Sequence, residues 1–298
     1  MREKEKNAEK LYNLPGLYEY AGLLVKAALA EDIGNGDITT GAIVPRAQMG
    51  EARFIAKEGF TLAGLFIAEK VFKQLDKKVS FKTKYKDGDT VRNGQVIASI
   101  SGRLQTILEG ERVALNFMQR LSGIATLTSA FIKNAGPKVR ILDTRKTTPC
   151  LRLLEKYAVR AGGGYNHRFG LFDSVLIKDN HIKAAGSVAK AVLKVNRKYG
   201  DNILVEVEVT NFKEVKEALS SGADIIMLDN MDPGKIKKAL KIIDNRALVE
   251  ASGGINLSNV REFASTGIDF ISVGALTHSA RAVDISMEVV SYAGKRGR

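Results

Sequence analysis

The rhythm of apolar and polar positions changes twice along this chain. Leu17–Ala30 carries Leu17, Ala21, Leu24, Val25 and Ala28 at helical spacing, which predicts an amphipathic helix. It leads into Glu31-Asp-Ile-Gly-Asn-Gly-Asp-Ile-Thr-Thr40, where Gly and Asn predict turns. From Gly50 to about Ile100 the period drops to two. Val79-Ser-Phe-Lys-Thr-Lys-Tyr85 and Val96–Ile100 read as strands, Asp87-Gly88 and Asn93-Gly94 as turns, and Leu65–Leu75 as an intervening helix. This predicts a small α+β domain with an antiparallel sheet. Gln105–Phe131 then returns to helical spacing through Ile107, Leu108, Leu115, Met118, Leu121 and Leu127.

Beyond that helix a strand-then-helix alternation sets in. Short β-rich runs recur at Val139–Leu142, Ser174–Ile177, Ile203–Val209, Asp224–Leu228, Ala247–Glu250 and Asp269–Val273, while Ala158–Ala161 is too short to assign. Such repetition without hairpin signals predicts βα units in a parallel sheet. An open doubly wound sheet gives the same repeat, but the dinucleotide glycine fingerprint after the first strand is missing. Polar residues favour a barrel, because they gather at strand ends: Asp143 and Arg145, Lys178 and Asp179, Glu206 and Glu208, Asp229 and Asn230, Ser252-Gly253-Gly254, and Gly274. In a βα barrel all strand C-termini open on one rim. The last two ends, Ser-Gly-Gly-Ile and Val-Gly-Ala-Leu, have backbone N–H groups suited to wrapping a phosphate.

Composition narrows the function class. The chain has 298 residues, 45% hydrophobic and 27% charged, with a net charge of +13. That charge raises nucleic acid, anionic membranes or anionic metabolites as partners. The basic residues are spread along the chain, without interleaved aromatics or zinc-ligand spacing, so most of the excess reads as a solvated surface. A single cysteine, Cys150, rules out an internal disulfide and reads as a small packed side chain rather than a nucleophile. The N-terminal stretch has no apolar core of a secretory signal, and no run reaches the ~18 apolar residues that span a bilayer. The expectation is a cytoplasmic enzyme with no membrane and no nucleic-acid partner.

The chemistry concentrates between Asp143 and His181. Asp143-Thr-Arg-Lys-Thr-Thr-Pro149, Gly162-Gly-Gly-Tyr-Asn-His-Arg168 and Leu176-Ile-Lys-Asp-Asn-His181 put two Arg, two Lys and two His on turn-forming segments. Arg supplies a planar fork for carboxylate or phosphate, Lys a mobile charge, and His a donor tunable near neutral pH. Asp143 reads as the residue that orients Arg145 and Lys146. His181 is a cap, a packing residue or a direct contact, and His278 falls beside the phosphate-binding turn. Glu208 and Asp229, at consecutive strand ends, suit Mg²⁺, sugar hydroxyls or developing positive charge, or else ion pairs with the rim lysines. Arg112, on the long helix, reads as a solvated charge.

Taken together these segments resemble the quinolinate phosphoribosyltransferase family. The likeness runs from about residue 20 to about residue 290, through Glu31–Thr40, Glu111-Arg-Val-Ala-Leu-Asn116, Leu121-Ser-Gly-Ile-Ala-Thr126, the three cation-rich segments, Ser252-Gly-Gly-Ile255 and Val273-Gly-Ala-Leu-Thr-His-Ser279. One departure is Cys150, where the family usually has Gly after Thr-Thr-Pro. The resemblance implies an α/β protein, an N-terminal α+β sandwich domain plus an incomplete TIM-like βα barrel, consistent with fewer than eight clear strands. The boundaries expected are 1–115 for the sandwich, 116–280 for the barrel, and 281–298 for a C-terminal helix and basic tail packing back on the first domain.

The resemblance also implies an activity: Mg²⁺-dependent transfer of phosphoribosyl from phosphoribosyl pyrophosphate to quinolinate, with decarboxylation, giving nicotinate mononucleotide, pyrophosphate and CO2. By motif, Thr144, Arg145, His167 and Arg168 would bind quinolinate, and Lys146 and Lys178 would reach both substrates. Glu208 and Asp229 would address the ribose hydroxyls and the pyrophosphate with its metal. Ser252, Gly253, Gly254, Gly274, Ala275 and His278 would hold the 5′-phosphate side. Arg112 would reach the active site of a neighbouring subunit, which implies a homodimer or higher oligomer. Lys146, Lys178, Glu208 and Asp229 are the expected catalytic residues. Two competing readings are a related phosphoribosyltransferase acting on another base, and a basic nucleic-acid-binding protein motivated only by charge.

Overall fold

The computed structural model describes residue 14 and residues 16–200 and 203–292. Internal contacts divide these into two units: Leu14–Leu127 with Leu153–Gly163 and the chain from Ala280 on, and Thr128–Arg152 with Gly164–Ser279. The division falls at 127/128 rather than at 115/116, inside a helix that runs unbroken over Leu104–Ala135.

In the first unit, alternation builds a sheet around phenylalanines. β1 (Met49–Ala56), β3 (Ser80–Thr83), β5 (Val96–Arg103) and β12 (Ile285–Tyr292) join an antiparallel sheet of order β12-β1-β5-β3, while β2 (Phe60–Thr61) and β4 (Thr90–Val91) form a separate ribbon. Ala52, Phe54 and Ala56 of β1 are fully buried at every second position. Phe54 meets Phe72 of the helix Leu65–Leu75 edge to face, with ring centroids 6.0 Å apart, and Phe81 of β3 at 6.1 Å. Gly88 and Gly94 adopt φ of +97° and +80°, the left-handed backbone that their turn dipeptides require.

Two local readings change. Within Glu31–Thr40 the first helix runs on to Ile33, and a short helix starts at Ile38. Asp37 caps it, accepting the Thr40 N–H at 2.9 Å, so an Asp that reads as a turn residue serves as a helix start. The C-terminal stretch 281–298, expected as helix and basic tail, instead supplies β12 (Ile285–Tyr292), paired antiparallel with β1. Ile285 and Met287 are buried while Ser286 and Glu288 point outward, a period of two that a helix would not satisfy. The basic tail, 293–298, lies outside the described residues.

The second unit is built from six parallel strands, β6 (Arg140–Leu142), β7 (Val175–Ile177), β8 (Val205–Val209), β9 (Ile225–Asp229), β10 (Leu248–Ser252) and β11 (Phe270–Ser272). Each lies within one of the six segments expected, or overruns it by one or two residues at its C-terminal end. Their order is β6-β11-β10-β9-β8-β7, with a parallel bridge from Leu142 to Tyr165 at the β6 edge. This is the incomplete βα barrel. Ala158–Ala161, unassigned above, closes the helix Arg152–Ala161. Val205, Val207 and Val209 of β8, Ile226 and Leu228 of β9, and Val249 and Ala251 of β10 are all buried. The alternate residues of the same strands line two cavities. Toward the strand starts the lining is apolar: Leu248 and Phe270, with Leu142 from the end of β6, form a small core with Tyr165 and Ile225 against it. The strands' C-terminal ends are polar.

The long helix contains a glycine with no room for a side chain. A Cβ on Gly123 would overlap the backbone carbonyl of Arg281, and would stand 3.3 Å from Ala282 Cα. Its neighbour Ser122 is buried, accepting the Ala63 N–H at 2.9 Å and donating to the Ala63 carbonyl at 3.1 Å. Gly123→Ala is expected to destabilise the protein by about 2–3 kcal/mol or more, since backbone rather than a flexible side chain must yield. Chemical denaturation of the variant checks this.

Candidate active site

β6 ends in the buried carboxylate of Asp143. It accepts Asn166 Nδ2 at 2.6 Å and the backbone N–H of His167 at 2.8 Å. Asp143 thus orients the 166–168 segment, whereas the sequence pointed it at Arg145 and Lys146. Thr144 Oγ1 accepts the Lys146 N–H at 3.0 Å and so turns the chain immediately after the strand. Arg152 clasps the loop from below, donating to Thr147 Oγ1 at 3.0 Å and to the Phe169 carbonyl at 3.0 Å. On the far side, Thr277 Oγ1 donates to the Lys146 carbonyl at 2.8 Å.

These turns open on a cavity of 600 Å³ at the C-terminal ends of the strands, within the range of small-molecule sites. Thr144, Arg145, Lys146, His167, Arg168, Lys178, Glu208, Asp229, Ser252, Gly253, Gly254, Gly274, Ala275 and His278 all line it. Arg112 does not. It lies exposed on the helix Leu104–Ala135 of the other unit. Asn230 also lines the cavity and was passed over as a binding residue. Its place is legible afterwards: Asn230 takes φ +53°, its Nδ2 donates to Asp229 at 2.7 Å, and a Cβ on Gly253 would run into its side chain. Gly253, at φ +94°, is therefore required both by its backbone and by this close approach. A Cβ on Gly274 would stand 3.1 Å from Lys146 Cδ and from His278 Nε2, so the glycine keeps those two side chains close.

The electrostatics divide the pocket. Arg145, Lys146, Arg168 and Lys178 put four cationic side chains along its lining. Burial holds the Arg168 guanidinium below the usual arginine range, and neighbouring Arg145 adds to this, while Glu206 and Asp173 oppose it. Opposite them, Lys178 Nζ lies 3.5 Å from Glu208 Oε2. Burial raises the Glu208 carboxyl, with nearby Asp229 adding to the shift and Lys178 working against it. Beneath the floor, His167 Nε2 is 3.1 Å from Glu206 Oε2 and 3.7 Å from Glu250 Oε1. Burial, then the charge of Glu206, pushes Glu250 up to about 8. Glu206, expected on the rim with Glu208, lines a smaller space beneath that floor instead, and Glu250 was not singled out. The available signal was a carboxylate in register with the inward positions, as in Leu248-Val-Glu-Ala-Ser252.

The remaining histidines are accounted for locally. His181 does not line the cavity: its Nδ1 accepts the Lys178 N–H at 3.0 Å, making it a helix-start cap. His278 Nδ1 is 2.7 Å from Ser279 Oγ.

A parallel βα barrel with cations, two carboxylates and glycine-rich turns on its C-terminal rim defines an enzyme for small, phosphorylated and anionic substrates. Family models for the quinolinate phosphoribosyl transferase N-terminal and C-terminal domains match residues 37–122 and 124–288. A probable nicotinate-nucleotide pyrophosphorylase (carboxylating) of Bacillus subtilis is 47% identical over 260 residues, 87% of this chain and 90% of that one. A chloroplastic counterpart from Arabidopsis thaliana is 45% identical over 89% of this chain and 82% of its own. The crystal structure of NadC from Streptococcus pyogenes superposes with a TM-score of 0.89 at 44% identity, covering 91% of this chain and 96% of that chain. The nicotinate-nucleotide pyrophosphorylase of Francisella tularensis gives 0.89 at 43% identity over 94% and 99%. The chain belongs to the quinolinate phosphoribosyltransferase family.

Cys150, the departure noted above, is exposed rather than packed and sits at φ +63°. Left-handed backbone is where glycine is at ease and a side chain is strained. Cys150→Gly is expected to stabilise the protein by about 0.5–1 kcal/mol, the relief of strain exceeding the extra chain entropy. A melting curve tests the sign, and turnover should be unchanged.

Proposed function

We infer that this chain is a quinolinate phosphoribosyltransferase, transferring phosphoribosyl from phosphoribosyl pyrophosphate to quinolinate with loss of CO2. The observation that carries this reading is the convergence of cations, carboxylates and glycine-rich turns on one 600 Å³ cavity. We place the enzyme in the cytoplasm, which suits its lone, exposed cysteine. Among the described residues no helix is long and apolar enough to cross a membrane.

The residues divide by charge. Thr144, Arg145, His167 and Arg168 bind the acceptor, whose two carboxylates need paired donors. Ser252, Gly253, Gly254, Gly274, Ala275 and His278 hold the 5′-phosphate through backbone N–H groups and short side chains. Glu208 and Asp229 take the ribose hydroxyls. As the pyrophosphate leaves, the anomeric carbon gains oxocarbenium character, and these two carboxylates supply negative potential beside it. Lys146 and Lys178 stabilise the charge growing on the leaving group. The pyridine nitrogen bonds to the anomeric carbon as the bond to pyrophosphate breaks. The adjacent carboxyl then departs as CO2, leaving its electron pair on the cationic ring, which takes up a proton. No enzyme nucleophile is needed, and positioning supplies much of the barrier reduction.

The donor set also fits Mg²⁺. Glu208 and Asp229, on neighbouring strands β8 and β9, offer only carboxylate oxygens, the hard ligands this ion takes alongside water and phosphate. When bound, Mg²⁺ neutralises phosphate charge and helps the leaving group depart.

CO2 release from carboxyl-labelled quinolinate is expected to require phosphoribosyl pyrophosphate and to stop when a chelator removes divalent metal. Release of pyrophosphate with nicotinate in place of quinolinate, at an equal rate, would overturn the assignment of acceptor. A second prediction concerns assembly, since Arg112 is proposed to complete the site of a neighbouring subunit. Arg112→Ala and Lys146→Ala chains are each expected to be inactive. Mixed after subunit exchange, they should recover about a quarter of wild-type activity, because half the dimers are hybrid and each hybrid restores one site. No recovery despite demonstrated exchange would place Arg112 outside the site.

A further inference from the structure

Below the cavity floor lies a second, much smaller space of 30 Å³, bordered by His167, Arg168, Glu206 and Glu250 above the apolar Leu142 and Phe270. Glu206 is 5% exposed and Glu250 1%, and an oxygen of each (Oε1 in both) lacks a hydrogen-bond partner. Two buried carboxyl groups in this position do nothing for stability that apolar side chains would not do better. Replacing buried charges by hydrophobic residues of similar volume is often neutral or stabilising. We propose that Glu206 and Glu250 are positioning residues for the acceptor half of this site, gripping the His167–Arg168 turn from beneath the pocket.

The geometry separates this from a metal centre, the other use of one histidine and two glutamates whose ligand atoms lie within 4.8 Å of one another. His167 Nδ1 accepts the backbone N–H of Arg168 at 2.8 Å, so it bears no proton. The proton of the imidazole therefore sits on Nε2, the nitrogen that faces Glu206 and Glu250. A metal at the cluster would need a lone pair on that same nitrogen. The protonated nitrogen instead donates to Glu206 at 3.1 Å, as an orienting carboxylate requires. Asp143 holds the same turn from its other side through the His167 N–H, so the imidazole is fixed at both backbone and ring.

Arg168 gives the second half of the argument. It is 9% exposed, and its charge is disfavoured by burial and by Arg145. Glu206 is the first counter-charge that offsets this, ahead of Asp173. One carboxylate thus serves both acceptor-binding neighbours, orienting His167 and offsetting the buried charge of Arg168 before substrate arrives. Glu250, whose protonated form is favoured by burial and by the charge of Glu206, lies 3.7 Å from the same ring nitrogen.

This inference rests on the assignment of Arg145, His167 and Arg168 to quinolinate, and the test separates the two. Glu206→Gln, which loses the one charge-assisted contact to His167, is expected to raise the KM for quinolinate about tenfold, and Glu250→Leu, which loses the polar group beside the same ring nitrogen, to raise it about threefold, with the KM for phosphoribosyl pyrophosphate within about twofold of wild type in both. Glu250→Gln should recover most of what Glu250→Leu loses. An unchanged quinolinate KM in variants that melt like wild type overturns the proposal, and so does a parallel rise in both KM values. If Glu206→Gln does not fold, the two Glu250 variants decide. Arg168→Ala is the control. A normal quinolinate KM there removes the acceptor assignment itself, whereas a raised one beside normal glutamate variants removes only the positioning role.

Discussion

The second unit depends on one constraint, the alternation of side chains along parallel strands. Every second residue must pack outward, and Val205, Val207 and Val209 meet that demand. The residues between them share the interior with their counterparts from neighbouring strands. That interior is therefore a continuous set of positions, apolar at Leu248 and Phe270 and acidic at Glu206 and Glu250. It turns polar again at Glu208, Asp229 and Ser252, which line the larger cavity. Moving any strand by one residue would exchange this set for valines and isoleucines. Register is thus what turns a hydrophobic sheet into a site, and the outward apolar face is what fixes the register.

Backbone conformation does comparable work at the rim. Gly253 and Asn230 both take left-handed φ and press against each other, so the ends of β9 and β10 can approach where side chains would keep them apart. Gly274 performs the same service for Lys146 and His278. The result is a lining in which cations come from loops after early strands and glycine-rich turns from loops after late ones.

How much of this was legible follows from which features are local. The six parallel strands, the helix Leu65–Leu75 and the Asp-Gly and Asn-Gly turns were readable because period and turn chemistry are properties of short segments. The fourteen rim residues that line the cavity were readable because each sits beside a strand end or on the flanking turns. What escaped depends on partners distant in sequence. β12 looked helical until its place beside β1 supplied a ladder, and its alternating Ile285 and Met287 are meaningful only against that sheet. The Asp143 carboxylate seemed to belong to its neighbours Arg145 and Lys146, yet its hydrogen bonds go to residues more than twenty positions away. Arg112 carries no local signal at all; its helix face reads as solvated, and only likeness to a family gives it a role.

The cluster under the floor shows why the cations are not sufficient in themselves. Arg145 stands close enough to Arg168 to disfavour its charge, and a buried guanidinium already loses hydration. A pocket made only of such groups would bind a dianion tightly but would be poorly ordered before the dianion came. A partial counter-charge beneath the pocket resolves this, provided it is weaker than the incoming carboxylates and cannot move. Glu206 meets the second condition by burial, and Glu250 the first, since burial and the charge of Glu206 favour its protonated form. The acceptor then meets an Arg168 guanidinium already partly neutralised. It completes, from above, a neutralisation that the barrel interior has begun from below.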